Sequence, residues 1–190
     1  MKIVVIVDTQ NDFVDGVLGT EEAKKIVPNI TSRLRELKGS LVLFTKDTHY
    51  EDYLETQEGQ NLPVPHCIYK TPGWSIVKDI SSLVDYSNDY LSYSGANVIK
   101  GRFLKKTFGS IELAETLREI VDECQIDEIT FMGLLTDICV ISNVLITKAY
   151  CPETPITVDA SCCAGLTPEK HKAALEVMES CQIKVINKGE

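Results

Sequence analysis

The sequence predicts an α/β fold, a sandwich built on a mostly parallel sheet. Three observations carry this. Short apolar, β-branched runs recur along the chain, beginning with Lys2–Val7. Between them lie longer stretches whose apolar residues repeat at helical spacing. The two kinds of segment alternate, which is the pattern of parallel strands joined by crossover helices.

Residues 2–7 are apolar throughout after Lys2, as in a central strand buried on both faces. Residues 8–20 read as a loop. Ala23, Ile26, Val27, Ile30, Leu34 and Leu37 form one helical stripe, and Gly39 ends that helix. Residues 41–44 make the second strand. Residues 45–74 are polar, carry Pro63, Pro65 and Pro72, and lack a clear period. A loop of that length in a compact domain is usually functional or disordered. A short helix is expected within 75–83 and a third strand at 97–99.

The second half is more regular. Leu113, Leu117, Ile120, Val121 and Cys124 form a helical stripe. A strand at 129–132, a turn at 133–136 and a helix at about 137–149 follow. Residues 156–158 are a strand, Ala174, Val177, Met178 and Cys181 mark the last helix, and 183–186 is the last strand. With no repeat, low-complexity tract or linker, residues 1–190 read as one domain.

Composition narrows the class. A hydrophobic content of 44% is enough for a full core. Acidic residues outnumber basic ones, 28 to 19, for a net charge of -9, which argues against nucleic acid as a partner. No apolar run approaches the ~20 residues of a membrane helix, so no membrane partner is expected. The first apolar stretch runs straight into Asp8, too short for a signal peptide. Seven cysteines, an odd count with no Cys-x-x-Cys, suggest reduced thiols in the cytoplasm. Most, adjacent Cys162 and Cys163 included, read as small buried hydrophobes.

In open α/β sheets ligands bind at the carboxyl ends of strands. The residues to inspect are therefore Asp8, Asp47 with His49, the loop after 97–99, and the turn at 133–139. In that turn Thr136 is a natural N-cap and Asp137 suits the positive end of the helix dipole. Cys139 then falls in the first helical turn, where the dipole favours thiolate and free N–H groups can hold an oxyanion. It is expected to be the most reactive of the seven thiols, the alternative being a plain core cysteine. A nucleophile needs an activating partner. Asp8 at the end of strand one and Lys105 in the loop after strand three should reach the same edge, while Lys100 and Lys106 stay open on spacing alone.

The chain has three histidines, at 49, 66 and 171. In an extended stretch Asp47 and His49 face the same way. His66 follows Leu62-Pro63-Val64-Pro65, a stiff turn that can return it to the same place. Glu55 or Glu58 would complete two imidazoles and two carboxylates, a set that suits Zn²⁺, Fe²⁺ or Mn²⁺.

These motifs together resemble the isochorismatase-like cysteine hydrolase superfamily, and within it the nicotinamidases and related amidases. Val5-Ile6-Val7-Asp8-Thr9-Gln10-Asn11-Asp12-Phe13 is similar to the family's opening motif, a hydrophobic strand followed by Asp-x-Gln-x-Asp-Phe. Lys105-Lys106-Thr107-Phe108-Gly109-Ser110 resembles its lysine block, and Phe108 at the family's aromatic offset selects Lys105 over its neighbours. Residues 133–140 resemble the nucleophile block, and Val158-Asp159-Ala160 with Thr167-Pro168-Glu169-Lys170-His171 also fits.

The resemblance implies a three-layer α/β/α sandwich whose six-stranded sheet has order 3-2-1-4-5-6. It implies a triad of Asp8, Lys105 and Cys139, an oxyanion hole from the N–H groups of Leu135 and Cys139, and a cis peptide joining Leu134 to Leu135. It implies one divalent metal, Zn²⁺ first with Fe²⁺ or Mn²⁺ as alternatives, bound by Asp47, His49, Glu58 and His66. The family's usual middle histidine is missing, since no His lies between 49 and 66; some members use Glu about nine residues past the first His, which points to Glu58 with Glu55 as runner-up. The implied reaction is hydrolysis of a small carboxamide, nicotinamide to nicotinate and ammonia, through a Cys thioester. Phe13 and Phe108 are the candidate residues against the substrate ring, or else plain core aromatics. Other readings are a hydrolase of carbamoyl or vinyl-ether substrates and a non-enzymatic binding module. A homo-oligomer is compatible with the sequence, which does not fix the oligomeric state.

Overall fold

Strand β1 (Lys2–Val7) is the pivot of the molecule, because its side chains feed two separate cores. Ile3, Val5 and Val7 point into one, and Val4 and Ile6 into the other. A strand with both faces covered has no place for polar residues, which is why this run lacks alternation. The computed structural model describes residues 1–84, 90–94 and 97–189, with 90, 92–94, 97 and 98 described by backbone only.

Helices α1 (Asn11–Val14), α2 (Glu21–Glu36) and α4 (Lys78–Ser81) cover the Val4/Ile6 face, with Phe13, Ile26, Ile30, Leu34 and Ile80 packed inward. Helices α5 (Ile111–Glu123), α6 (Ile141–Tyr150) and α7 (Pro168–Ser180) cover the other, through Leu113, Leu117, Ile120, Val144, Leu175 and Met178. Full burial of each such aliphatic side chain stabilises the fold by roughly 1.5–3 kcal/mol. Thr20, Ser110 and Thr167 cap α2, α5 and α7 by accepting the N–H of Ala23, Leu113 and Lys170. Helix α2 ends at Glu36, and Gly39 turns the chain three residues later at φ +93°.

The remaining sheet strands are β2 (Leu41–Asp47), β5 (Arg102–Lys105), β6 (Glu128–Leu134), β7 (Ile156–Ala164) and β8 (Lys184–Ile186). They run in the order β5-β2-β1-β6-β7-β8, and every pairing is parallel. Numbered within the sheet, this is 3-2-1-4-5-6, as the family likeness implied.

The third sheet strand is not residues 97–99. That segment is β4 (Asn97–Lys100), which pairs antiparallel with β3 (Tyr90–Ser94) in a separate two-stranded sheet. Strand β5 begins beyond Gly101 and pairs with β2 from Phe44↔Arg102 to Asp47↔Lys105. Its residues alternate, with Phe103 and Lys105 inward and Leu104 outward, and the inward lysine hides the strand from a hydrophobic reading. Between β2 and α4, the polar segment holds a 3₁₀ turn (Tyr53–Glu55) and α3 (Gln57–Asn61). Among the described residues no helix is long and apolar enough to cross a membrane.

Candidate active site

Parallel register brings the carboxyl ends of β1, β2, β5 and β6 to one edge. Val7 lies opposite both Thr45 and Gly133, and Asp47 opposite Lys105. Asp8 leaves β1 with φ +47° and is fully buried, its Oδ1 accepting from Thr45 Oγ1 at 2.7 Å. Lys105 is the last residue of β5 rather than part of the loop after it, and its Nζ sits 2.6 Å from Asp8 Oδ2 and 3.4 Å from Asp47 Oδ1. The same Nζ is 3.4 Å from Cys139 Sγ. The structure thus brings Asp8, Lys105 and Cys139 together. Lys100 instead pairs with Glu112 at 2.8 Å, and Lys106 is exposed above the Tyr50 ring.

The peptide between Leu134 and Leu135 is cis, and the turn after it, Thr136–Val140, is one turn of π-helix that runs into α6. Leu135, not Thr136, is the N-cap, and the N–H groups of Ile138 and Val140 both donate to its carbonyl at 3.0 Å. The Thr136 hydroxyl is turned instead to Nδ1 of His171, 2.8 Å away.

Burial decides the electrostatics. It pushes the Cys139 thiol well above its usual range, against the pull of Lys105, and the nearby carboxylates add to the rise. Against the thiolate expected at a helix start, burial thus works in the opposite direction at Cys139, with Lys105 Nζ as its hydrogen-bond neighbour. Burial also raises Asp8, with Lys105 opposing. Burial alone would lower Lys105, but the charges of Asp8, Cys139 and Asp47 carry it well above the usual lysine range. The upward shift favours the charged form of Lys105, which faces both Asp8 and Cys139.

Beside this trio, ligand atoms of Asp47, His49, Glu58 and His66 all lie within 4.8 Å of one another. Asp47 Oδ2 is 3.0 Å from His49 Nε2 and 3.3 Å from His66 Nε2. Glu58 Oε1 is 3.6 Å from His49 Nε2 and 3.9 Å from His66 Nε2. His66 Nδ1 donates to Val64 O at 2.8 Å, which leaves Nε2 as the lone-pair atom aimed at the cluster. Two carboxylates and two imidazoles in so small a volume fit a divalent cation. Burial and the charge of Asp47 together push Glu58 upward. Glu55 is exposed on the 3₁₀ turn and stands outside the cluster, so Glu58 is the carboxylate that converges.

Sequence reasoning missed the residues that hold the cluster in place. The Gln10 side chain pairs with both backbone groups of Asp47, donating to its O and accepting from its N, each at 2.8 Å. Asp12 Oδ2 accepts the N–H of Cys67 at 2.8 Å, fixing the chain just after His66. Tyr53 is buried with its ring against both imidazoles, at 4.6 Å from His49 and 5.1 Å from His66. Gln10 and Asp12 stand in a motif and were legible as such; nothing in the sequence marks Tyr53.

Of the two candidate ring-packing residues, Phe13 is buried in the core and stacks obliquely on His66 at 5.4 Å. Phe108 is 45% exposed and lines a cavity of about 650 Å³ with His49, Tyr53, Glu58, Leu62 and Ile138.

On a doubly wound sheet, the strand ends thus gather a buried cysteine at a π-turn, an acid–lysine pair in contact with it and four convergent donors. The isochorismatase domain model matches residues 2–190, and the chain belongs to that family. It is an amidohydrolase of the family. The chain is 27% identical over 218 residues to the nicotinamidase of Schizosaccharomyces pombe, covering 98% of this chain and 93% of that one. The crystal structure of the Bacillus subtilis nicotinamidase superposes with a TM-score of 0.76 at 28% identity, covering 97% of this chain and 98% of that one. The pyrazinamidase of Pyrococcus horikoshii, solved in complex with zinc, shares the fold with a TM-score of 0.71 at 23% identity, covering 97% and 98%.

Proposed function

We propose that this chain is a metal-assisted cysteine amidohydrolase that converts nicotinamide to nicotinate and ammonia. The observation that carries the reading is the contact of Asp8, Lys105 and Cys139 inside a closed site that adjoins the four-donor cluster. Likeness to nicotinamidases along nearly the whole chain supports the choice of substrate.

In this reading Asp8 takes the Cys139 proton as Sγ attacks the amide carbon. Lys105 offsets the negative charge that appears on sulfur and carboxylate. The family resemblance implies the N–H groups of Leu135 and Cys139 as oxyanion donors, and the Ile138 and Val140 amides beside them are committed to Leu135 O. Asp8 then returns its proton to the leaving nitrogen, which departs as ammonia and leaves a thioester on Cys139. Water attacks that thioester as Asp8 takes its proton, the acyl–sulfur bond breaks to release the acid, and Asp8 passes the proton to sulfur, which restores the thiol.

Asp47, His49, Glu58 and His66 would hold one divalent metal, for which we propose Zn²⁺; when bound it supplies a Lewis acid beside the substrate ring. Phe13 packs behind His66, and Phe108 offers an apolar wall at the mouth of the cavity. Seven unpaired cysteines support a reducing, cytoplasmic setting.

Ammonia release over a panel of carboxamides tests the reading. Nicotinamide should be the best or near-best substrate. A protein that leaves nicotinamide intact while hydrolysing a carbamoyl substrate would overturn the substrate and keep the class.

A further inference from the structure

The run from Thr167 to His171 matches a family motif, yet the reaction outlined above gives it no task. Its residues form the N-cap and first turn of α7, one sheet position away from the nucleophile. Two contacts cross from there to the π-turn. Thr136 Oγ1 lies 2.8 Å from His171 Nδ1, and the Leu166 N–H donates to Asp137 Oδ1 at 2.8 Å. Thr136 is fully buried, so its hydroxyl has no water to turn to. Gly165 lets the two segments close up, because a Cβ there would stand 2.8 Å from Asp137 Oδ1 and 2.9 Å from His171 Cα.

We infer that His171 is a positioning residue, which holds the Thr136 hydroxyl and thereby aims the π-turn that carries Cys139 and its N–H donors. The reasoning is geometric. Single π-turns are rare within α-helices and frequent at functional sites. Here Thr136 opens the turn, three residues before Cys139. The φ and ψ torsions on either side of Thr136 are the soft ones, and the turn can swing about them unless the side chain is held. The strap from Leu166 fixes Asp137, the next residue, and His171 fixes Thr136 itself. An oxyanion hole acts through alignment to within a few tenths of an ångström, so a small rotation of this turn costs turnover more than substrate affinity.

The inference rests on the amidase reading, and the test keeps the two apart. The variants are Thr136→Val, His171→Leu, His171→Asn and the double Thr136→Val/His171→Leu. Asn places a polar atom where His has Nδ1, so it can still meet the hydroxyl. Thr136→Val and His171→Leu should each lower kcat on nicotinamide by about 10- to 100-fold with KM changed less than about threefold. His171→Asn should recover most of that loss. The double variant should be no worse than the poorer single one, because both remove the same contact. A melting temperature within a few degrees of the parent separates positioning from unfolding. If His171→Leu keeps full kcat, if Asn fails as badly as Leu, or if the two losses multiply, the latch is wrong. A parent protein inactive on nicotinamide instead overturns the substrate reading. The latch is then judged by alkylation of Cys139, whose rate should shift at least fivefold in Thr136→Val and His171→Leu but not in His171→Asn; equal rates in all four variants would overturn it.

Discussion

The Lys105 ammonium sits 2.6 Å from the Asp8 carboxylate, and both side chains are almost wholly shut off from solvent. An ion pair in such a place is expensive to break by removing one partner, since the other is left as an unpaired buried charge. It is also the arrangement in which a proton on Cys139 has one acceptor, Asp8, and one compensating charge, Lys105. The first prediction follows. Asp8→Asn, Lys105→Met and Cys139→Ala should each lower kcat by about 10³-fold or more, because groups that act as a unit fail singly. Lys100→Ala and Lys106→Ala should stay within about threefold of the parent, although Lys106 lines the cavity, because neither touches Asp8 or Cys139. Steady-state ammonia release decides it, and a Lys105→Met enzyme with near-normal kcat would remove the triad.

The second prediction concerns the thiol. Burial pushes Cys139 up, so its thiolate fraction is small near neutrality and grows as pH rises through and beyond 9. Iodoacetamide should therefore modify Cys139 slowly at pH 6.5 and ever faster up to pH 10, with no plateau near pH 7. Lys105→Met should slow the reaction further at every pH, because the cation that lowers the thiol is gone. Peptide mass spectrometry after timed labelling reads both effects, and a plateau near pH 7 would restore the thiolate expected from the helix start alone.

Much of this site is legible in the sequence. Asp8, Asp47, His49 and Cys139 each stand at or just past the end of an apolar run, and strand ends are where sheet folds place chemistry. Lys105 was harder, because a lysine buried at the end of an edge strand looks like solvated surface; its neighbour Phe103 is fully buried, but Leu104 is not. The upward push of burial on the Cys139 thiol was not legible, since desolvation depends on which elements pack around it. Nor was the partner of Thr136. A threonine before an acidic residue at a helix start suggests a cap, and only the approach of α7 shows that the hydroxyl is used across the fold.

The third prediction is metal content. Purified protein should carry about one divalent ion per chain, and Glu58→Ala should lower that occupancy while Glu55→Ala leaves it unchanged. Because a ligand bound to the folded state stabilises it by mass action, chelation should also lower the melting temperature of the parent and of Glu55→Ala. Elemental analysis with thermal unfolding checks both, and equal loss in the two variants would mean that the carboxylate is misassigned.

The fourth is a pH dependence of stability. Burial lowers the folded-state pKa of His171, with Asp137 opposing. A group depressed on folding contributes stability that is complete above its unfolded value, about 6.5, and is lost as pH falls through the folded one. Between pH 7 and pH 5 the parent should lose more stability than His171→Asn, which has nothing to protonate there. Denaturant midpoints at the two pH values give the comparison, and parallel losses would mean that His171 does not titrate in this window.

The last prediction separates two costs of replacing glycine. Gly133 sits on β6 at φ +128°, paired with Val7 on the central strand. A Cβ built there would meet the Val7 backbone oxygen and lie 2.8 Å from the Val7 nitrogen. Neither atom belongs to a flexible side chain, so β1 or β6 would have to move, and with it Asp8 or the cis turn. Gly39 has φ +93° but nothing within 4 Å of an added Cβ. Gly39→Ala therefore meets only the conformational term, roughly 1–2 kcal/mol, or about 2–8 °C in melting temperature for a chain of this size. Gly133→Ala adds the steric term and should lose well over ~10 °C or fail to fold, with no activity in whatever soluble fraction remains. Thermal unfolding of the two variants side by side decides the matter, and a Gly133→Ala protein as stable as Gly39→Ala would mean that β1 and β6 are not packed as closely as the register requires.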